Sequence, residues 1–285
     1  MNNFFLITNY FRVRTRNLLY PLYNSICINK LEAPQQVIFL LSHMRAGSTL
    51  CVNLLCTNPE IVGIGETGIS YASASDFRIL RGKVYSRLSR LSVTEKYLLD
   101  NLNHNFHISN PEILLNENVK CIFLVRDSES TLSSLLNEKF IQHETQFLTI
   151  DPKLVDWKAR SSAYYRKRLA QLMEYAEIIN NKDKSLYINY KQLISDTQTV
   201  FDNLTSFLGI QSAFSEEYTP LSSKGLFGIF GAVGDPVSKK ITSGKIVKNP
   251  SPKILLPPEI SQACWETYQN INATLPKYCR CIGEN

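Results

Sequence analysis

VIFLLSHMRAGSTLCVNLLC, residues Val37 to Cys56, passes from a short apolar run through a polar turn into a second apolar run. Val37 to Leu41 is long enough for a buried strand and too short to favour a helix. Ser42-His43-Met44-Arg45-Ala46-Gly47 forms the turn, and behind Ser48-Thr49 the residues Leu50, Val52, Leu54 and Leu55 recur at helical spacing. Strand, tight loop, helix brings the unbonded N–H groups of a helix start, and the positive end of its dipole, to one point, which suits an anion. Gly47 lets backbone approach that anion closely, and the Ser48 and Thr49 hydroxyls add donors.

On the phosphate-loop pattern GxxxxGK[ST], Ser42 stands at the first glycine, Gly47 and Thr49 fit, and Ser48 replaces the lysine that reaches the terminal phosphates of ATP or GTP. The spacing is that of a phosphate cradle, with its cation moved to Arg45. The bland alternative is a strand–helix connection that is polar because it is exposed.

A chain of 285 residues, 44% hydrophobic and 20% charged, suits one large α/β domain or two small ones. Its formal charge of +6 fits an anionic ligand but is too modest, and too dispersed, to indicate nucleic acid. The 7 cysteines are an odd number in a long chain, without zinc spacing, and read as reduced thiols in a cytoplasmic protein. Asn203-Leu-Thr and Asn272-Ala-Thr match the glycosylation pattern by chance on this reading. Residues 1–34 read as a helical extension packed on the domain. Pro21 and Asn24 break its apolar stretch, making a poor signal peptide and too short a membrane span. A second reading gives residues 1–30 a peripheral membrane contact through aromatic and basic side chains.

Farther along, residues 60–65 (EIVGIG) predict a short strand ending at Glu66. Residues 71–99 read as mixed and mostly helical, with Arg78, Arg81, Lys83, Arg87 and Arg90 on a solvated face. Residues 103–109, with His104 and His107, read as a strand. Val119–Val125 is a second buried strand, followed by Arg126, an N-cap at Asp127 or Ser128, and a helix that places Ser134 on the side of Arg126. Further expectations are a long helix over 157–180, a strand over 185–189 followed by Tyr190, a helix over 197–208 stopped by Gly209, and a last helix over 257–271. The glycine-rich stretch 224–247 with Lys239, Lys240 and Lys245 reads as a long functional loop. Strands alternating with helices imply a parallel sheet in one domain.

Three separated motifs carry a resemblance. SHMRAGSTL (42–50) resembles the 5′-phosphosulfate loop of the sulfotransferase family, commonly P-[KR]-S-G-[ST]-T. CIFLVRDSESTLSSL (121–135) resembles the family's 3′-phosphate motif, a strand-end arginine with a serine eight positions later. LYINYKQLISDTQTVFDNLTSFLGI (186–210) is similar to the stretch written YEDL…FLGL, and the Gly-Asp-Pro…Gly-Lys-Ile of 234–246 looks like the C-terminal cofactor loop of bacterial members. The chain departs from the pattern at Ala46 (usually Ser) and Lys191 (usually Glu), and it lacks a clear R-K-G trio.

The resemblance implies a three-layer α/β sandwich around a central parallel sheet, phosphate-loop-like, as a single domain over residues 1–285 with residues 224–250 covering the cofactor. It implies a metal-independent enzyme using 3′-phosphoadenosine-5′-phosphosulfate (PAPS) as co-substrate. Arg45, Ala46, Gly47, Ser48 and Thr49 would hold the 5′ end, Arg126 and Ser134 the 3′-phosphate, and Tyr190, Lys239, Lys240 and Lys245 the remainder. Arg45 would also act on the leaving group. Glu66 is the first candidate base, as in the protein-tyrosine branch, with His104 and His107 as runners-up. The acceptor, whether small molecule, carbohydrate, lipid or peptide, and the oligomeric state are not legible. The alternative is a phosphate-loop kinase acting on a nucleotide or small molecule; against it stand the missing lysine and the lack of an evident Mg²⁺-binding carboxylate.

Overall fold

The computed structural model describes residues 28–29, 34–137, 141, 155–221 and 256–283. Six strands form one sheet: β1 (Gln36–Ser42), β2 (Ile61–Gly63), β3 (Tyr97–Leu102), β4 (Val119–Val125), β5 (Ser185–Asn189) and β6 (Arg280–Cys281). Their order is β2-β3-β1-β4-β5-β6, and every pairing is parallel.

Alternation along the central strands builds the three layers. Val37, Phe39 and Leu41 of β1 join Cys121, Phe123 and Val125 of β4 in one core, under α2 (Asp76–Arg87), α3 (Ser128–Leu135), α4 (Trp157–Ile179) and α7 (Pro258–Tyr278). Ile38, Leu40, Ile122 and Leu124 face the other way, against α1 (Ser48–Leu55), α5 (Tyr190–Ser195) and α6 (Thr197–Leu208). Val37 through Leu41 are fully buried, as strands covered on both faces must be. From β1 the chain passes through α1 to the β2 edge, whereas from β4 it passes to β5 on the opposite side. Connections that diverge from neighbouring strands leave a crevice beyond their C-terminal ends, the usual ligand site of an open α/β sheet.

The strand expected over 103–109 is instead β3, one segment earlier, and the expected helical region 71–99 contains only α2. The reason is the polar pair inside YLLDNL, which hides an entirely buried strand. Asp100 accepts from the Thr67 amide at 3.0 Å and the Tyr71 hydroxyl at 2.7 Å, and Asn101 donates to Ser48 Oγ at 3.2 Å. Lys83 is no surface charge either: it is buried, and its ammonium donates to the Thr67 carbonyl at 3.0 Å. Arg81 and Arg90 reach Gln35 and Glu95, while Arg78 and Arg87 stay exposed.

Within the expected N-terminal helix, Ile28–Asn29 is extended and pairs in parallel with Ser92–Val93. Most of residues 1–34 and all of the expected loop 224–250 lie outside the described residues. The last helix continues to Tyr278 before β6 closes the sheet edge. Asn203 and Asn272 donate to the Thr199 and Tyr268 carbonyls, so both sequon side chains are engaged inside the fold. Among the described residues, no helix is long and apolar enough to cross a membrane.

Candidate active site

The crevice begins in the loop after β1. Arg45 and Gly47 both have positive φ, 65° and 91°, so the loop turns twice through left-handed conformations. Gly47 is required for a second reason: a Cβ there would lie 2.2 Å from Cε2 of Tyr190. The start of α1 has no capping side chain and no acidic residue in its first turn. Its first N–H groups therefore face the crevice without a side-chain partner, where an anion is favoured. Ala46 is fully buried and joins the core on the α1 face, which accounts for an apolar residue at this position.

Two arginines converge on this loop. Arg126, directly after β4, donates from Nη1 to the Arg45 carbonyl at 3.2 Å, and its guanidinium lies 4.6 Å from the Tyr190 ring centroid. Arg45 donates from Nε to Ser134 Oγ at 2.7 Å. Asp127 caps α3 by accepting from the Ser130 amide at 2.7 Å, which orients the helix carrying Ser134. Arg45, Arg126, Ser134 and Tyr190 thus share one rim. Lys239, Lys240 and Lys245 lie outside the described residues.

Across the rim stand the three candidate bases. Glu66 Oε1 lies 2.8 Å from His107 Nε2 and 3.5 Å from His104 Nε2, and Oε2 accepts from Asn103 Nδ2 at 3.3 Å. The fully buried His107 also places Nδ1 3.1 Å from the Ile69 carbonyl. A carbonyl cannot donate, so Nδ1 carries a proton. The Nε2–Oε1 contact then needs a proton of its own, on one partner or the other. His104 is pushed down to about 4 by burial, against the pull of Glu66, with His107 and Arg168 adding to the fall.

The two sides are joined through α4. Tyr164 accepts from the Met44 amide at 2.9 Å and donates to the Asn103 carbonyl at 2.8 Å. Arg168, only 1% exposed, donates from Nε to the Ser42 carbonyl at 2.8 Å and from its other nitrogens to the Leu102 carbonyl and Asn105. Burial lowers its affinity for a proton, but it remains a buried cation between the ends of β1 and β3.

The chain matches the sulfotransferase domain family over residues 35–224, which contain both arginines, Ser134, Tyr190 and the Glu66 cluster. It belongs to the sulfotransferase family. The mouse sulfotransferase SULT7A1 complexed with PAP resembles it with a TM-score of 0.49 and 16% identity over 89% of this chain and 87% of that one. The sulfotransferase domain of the Synechococcus PCC 7002 olefin synthase resembles it at 0.47 and 18%, over 85% and 97%. The sulfotransferase domain from the curacin biosynthetic pathway does so at 0.41 and 18%, over 64% and 76%. No curated protein matches the chain.

Around the site of this sulfotransferase lie several residues that sequence reasoning passed over. His43 reads locally as an exposed turn residue, yet it is fully buried. Tyr164 and Tyr165 read as part of an ordinary core stripe. Arg168 did carry a signal: it falls three residues after Tyr165 and four before Leu172, on the apolar face, where a cation needs a reason. Asn101 donates to the Oγ of Ser48, the residue that stands where the phosphate-loop pattern has its lysine.

Proposed function

We propose that the protein transfers a sulfuryl group from PAPS to a hydroxyl or amine acceptor. The observation that carries this reading is the convergence of Arg45, Arg126 and Ser134 on one rim, linked by bonds of 3.2 and 2.7 Å. A nucleotide with anionic groups at both ends fits a rim with an uncapped helix start at one side and an arginine–serine pair at the other. PAPS supplies the reactive sulfuryl group as a mixed sulfate–phosphate anhydride.

On this proposal the α1 amides and Thr49 hold the 5′-phosphate, with Ser48 fixed by Asn101. Arg126 and Ser134 hold the 3′-phosphate, and Tyr190 supports the Arg126 guanidinium from below. Arg45 exchanges its bond to Ser134 for the bridging oxygen, where it meets the electron pair left by the breaking S–O bond. Lys239, Lys240 and Lys245 are proposed to cover the nucleotide, as part of a single domain over the whole chain. Glu66 takes the acceptor's proton as the new S–O bond forms. Oε1 is tied to His107, so Oε2 is the oxygen that serves as base, and the pair then holds both protons. Transfer rests on positioning and charge, as in phosphoryl transfer. Cys51, Cys121, Cys264 and Cys279 are free, buried thiols, which supports a reducing, cytoplasmic setting.

Arg45→Ala tests the assignment. Transfer of labelled sulfuryl from PAPS falls by about 10³-fold or more while the melting temperature is retained. Unchanged turnover removes the mechanism.

A further inference from the structure

Among the described residues, His43 is the side chain bonded to the backbone of both anion loops. Its Nδ1 lies 3.0 Å from the Met44 carbonyl, and its Nε2 lies 3.1 Å from the amide nitrogen of Arg126. These partners fix the proton. A carbonyl only accepts, so Nδ1 is the donor; a backbone amide only donates, so Nε2 is the acceptor. The imidazole is therefore neutral and held as a single tautomer. The Tyr165 ring meets it edge-on, with centroids 5.1 Å apart and planes at 87°, and the Tyr165 hydroxyl donates to the Arg126 carbonyl at 2.9 Å. The peptide groups on both sides of Arg126 are thus held by one packed pair of rings. The guanidinium completes a closed circuit by donating to the Arg45 carbonyl.

We propose that His43 is a positioning residue that ties the two phosphate sites together, so that the 3′-phosphate contact made by Arg126 depends on an acceptor at Nε2. The inference rests on the PAPS reading of the rim and adds a residue that reading does not use. Tyr165 holds the Arg126 carbonyl, Asp127 caps the α3 start and the Arg126 guanidinium donates to the Arg45 carbonyl, but none of these receives the Arg126 amide, which donates to His43 Nε2. A protonated imidazole could not receive it either. Burial, with Arg168 and Arg126 adding, holds His43 down to about 4, so the acceptor is present at neutral pH.

Two substitutions separate the atoms. The amide oxygen of His43→Gln reaches the place of Nε2, whereas His43→Asn can replace only Nδ1. Binding of adenosine 3′,5′-bisphosphate and adenosine 5′-monophosphate is measured calorimetrically for wild type and both variants. The wild type prefers the bisphosphate. His43→Gln keeps that preference within about threefold. His43→Asn loses about tenfold or more of it, the scale of one charge-assisted contact, while affinity for the monophosphate stays close to that of the Gln variant. Equal losses for both nucleotides in His43→Asn would mean a merely structural role and overturn the proposal, as would indistinguishable variants. A wild type with no preference for the bisphosphate would instead overturn the PAPS reading, and the proposal with it. Should His43→Asn not fold, the imidazole ¹⁵N spectrum of the wild type decides. One neutral tautomer with its proton on Nδ1 is expected; protonation at Nε2, or titration near 6.5, contradicts the proposal.

Discussion

The two sides of the rim are held by different means. On the donor side, the loops after β1 and β4 are laced through backbone groups: the Arg126 amide to His43, the Arg45 carbonyl to Arg126, the Met44 amide to Tyr164. On the acceptor side, Glu66, His104 and His107 meet through side chains from segments about forty residues apart, and Asn103 and Arg168 add further side-chain bonds. Backbone donors are common to every sequence, so the donor side needs few residue identities and can keep a short motif. The acceptor side depends on every identity in the cluster, so it can change without disturbing the donor loops. Tyr164 and Arg168 join the halves, and Ser42 at the end of β1 donates directly to Asn103.

The sharpest way to separate the halves is Glu66→Gln. It removes the proposed base and leaves the phosphate loops intact, so turnover falls by about 10²–10⁴-fold while bisphosphate affinity is unchanged. A parallel loss of nucleotide affinity would show that the halves are one unit. Gly47→Ala strikes the donor side alone. It places a Cβ at a φ of 91° and against the Tyr190 ring, so chemical denaturation registers a loss of about 2–4 kcal/mol. Adding Tyr190→Ala restores part of that loss if the ring is the obstacle.

A smaller effect is expected from acid, and it draws on both halves. His43 and His104 are each held down to about 4, chiefly by burial; Arg168 faces both, Arg126 and Tyr165 face His43, and Glu66 and His107 face His104. Both are neutral in the folded protein, whereas in the unfolded chain they take up protons near 6.5. Their contribution is complete above pH 6.5 and is lost as pH falls from 6.5 through about 4. His43→Gln removes one contribution, so the acid limb of its stability curve is shallower over that window. An unchanged limb would assign the acid sensitivity elsewhere.

The same division governs how much the sequence discloses. The donor side was legible because its chemistry lies in contiguous runs: an apolar strand, a turn with Arg45 and Gly47, then a helix start, followed by a second strand ending at Arg126. Strands β1, β4 and β5 and helix α6 fall where the pattern predicts them. β3 escaped because Asp100 and Asn101 look unsuited to a buried strand until Thr67, Tyr71 and Ser48 are known to meet them. Each candidate base stands out in the sequence singly, but nothing local says that Glu66 and His107 meet. His43 was hidden by position, since a polar turn gives no sign that its ring will be buried between two loops.

The account stands most directly on one thermal measurement with the wild-type protein. Adenosine 3′,5′-bisphosphate is expected to raise the melting temperature by several degrees at a hundredfold excess over its dissociation constant, and ATP with Mg²⁺ to leave it in place. Stabilisation by ATP with Mg²⁺ and none by the bisphosphate would contradict the paired phosphate sites and point to the kinase alternative.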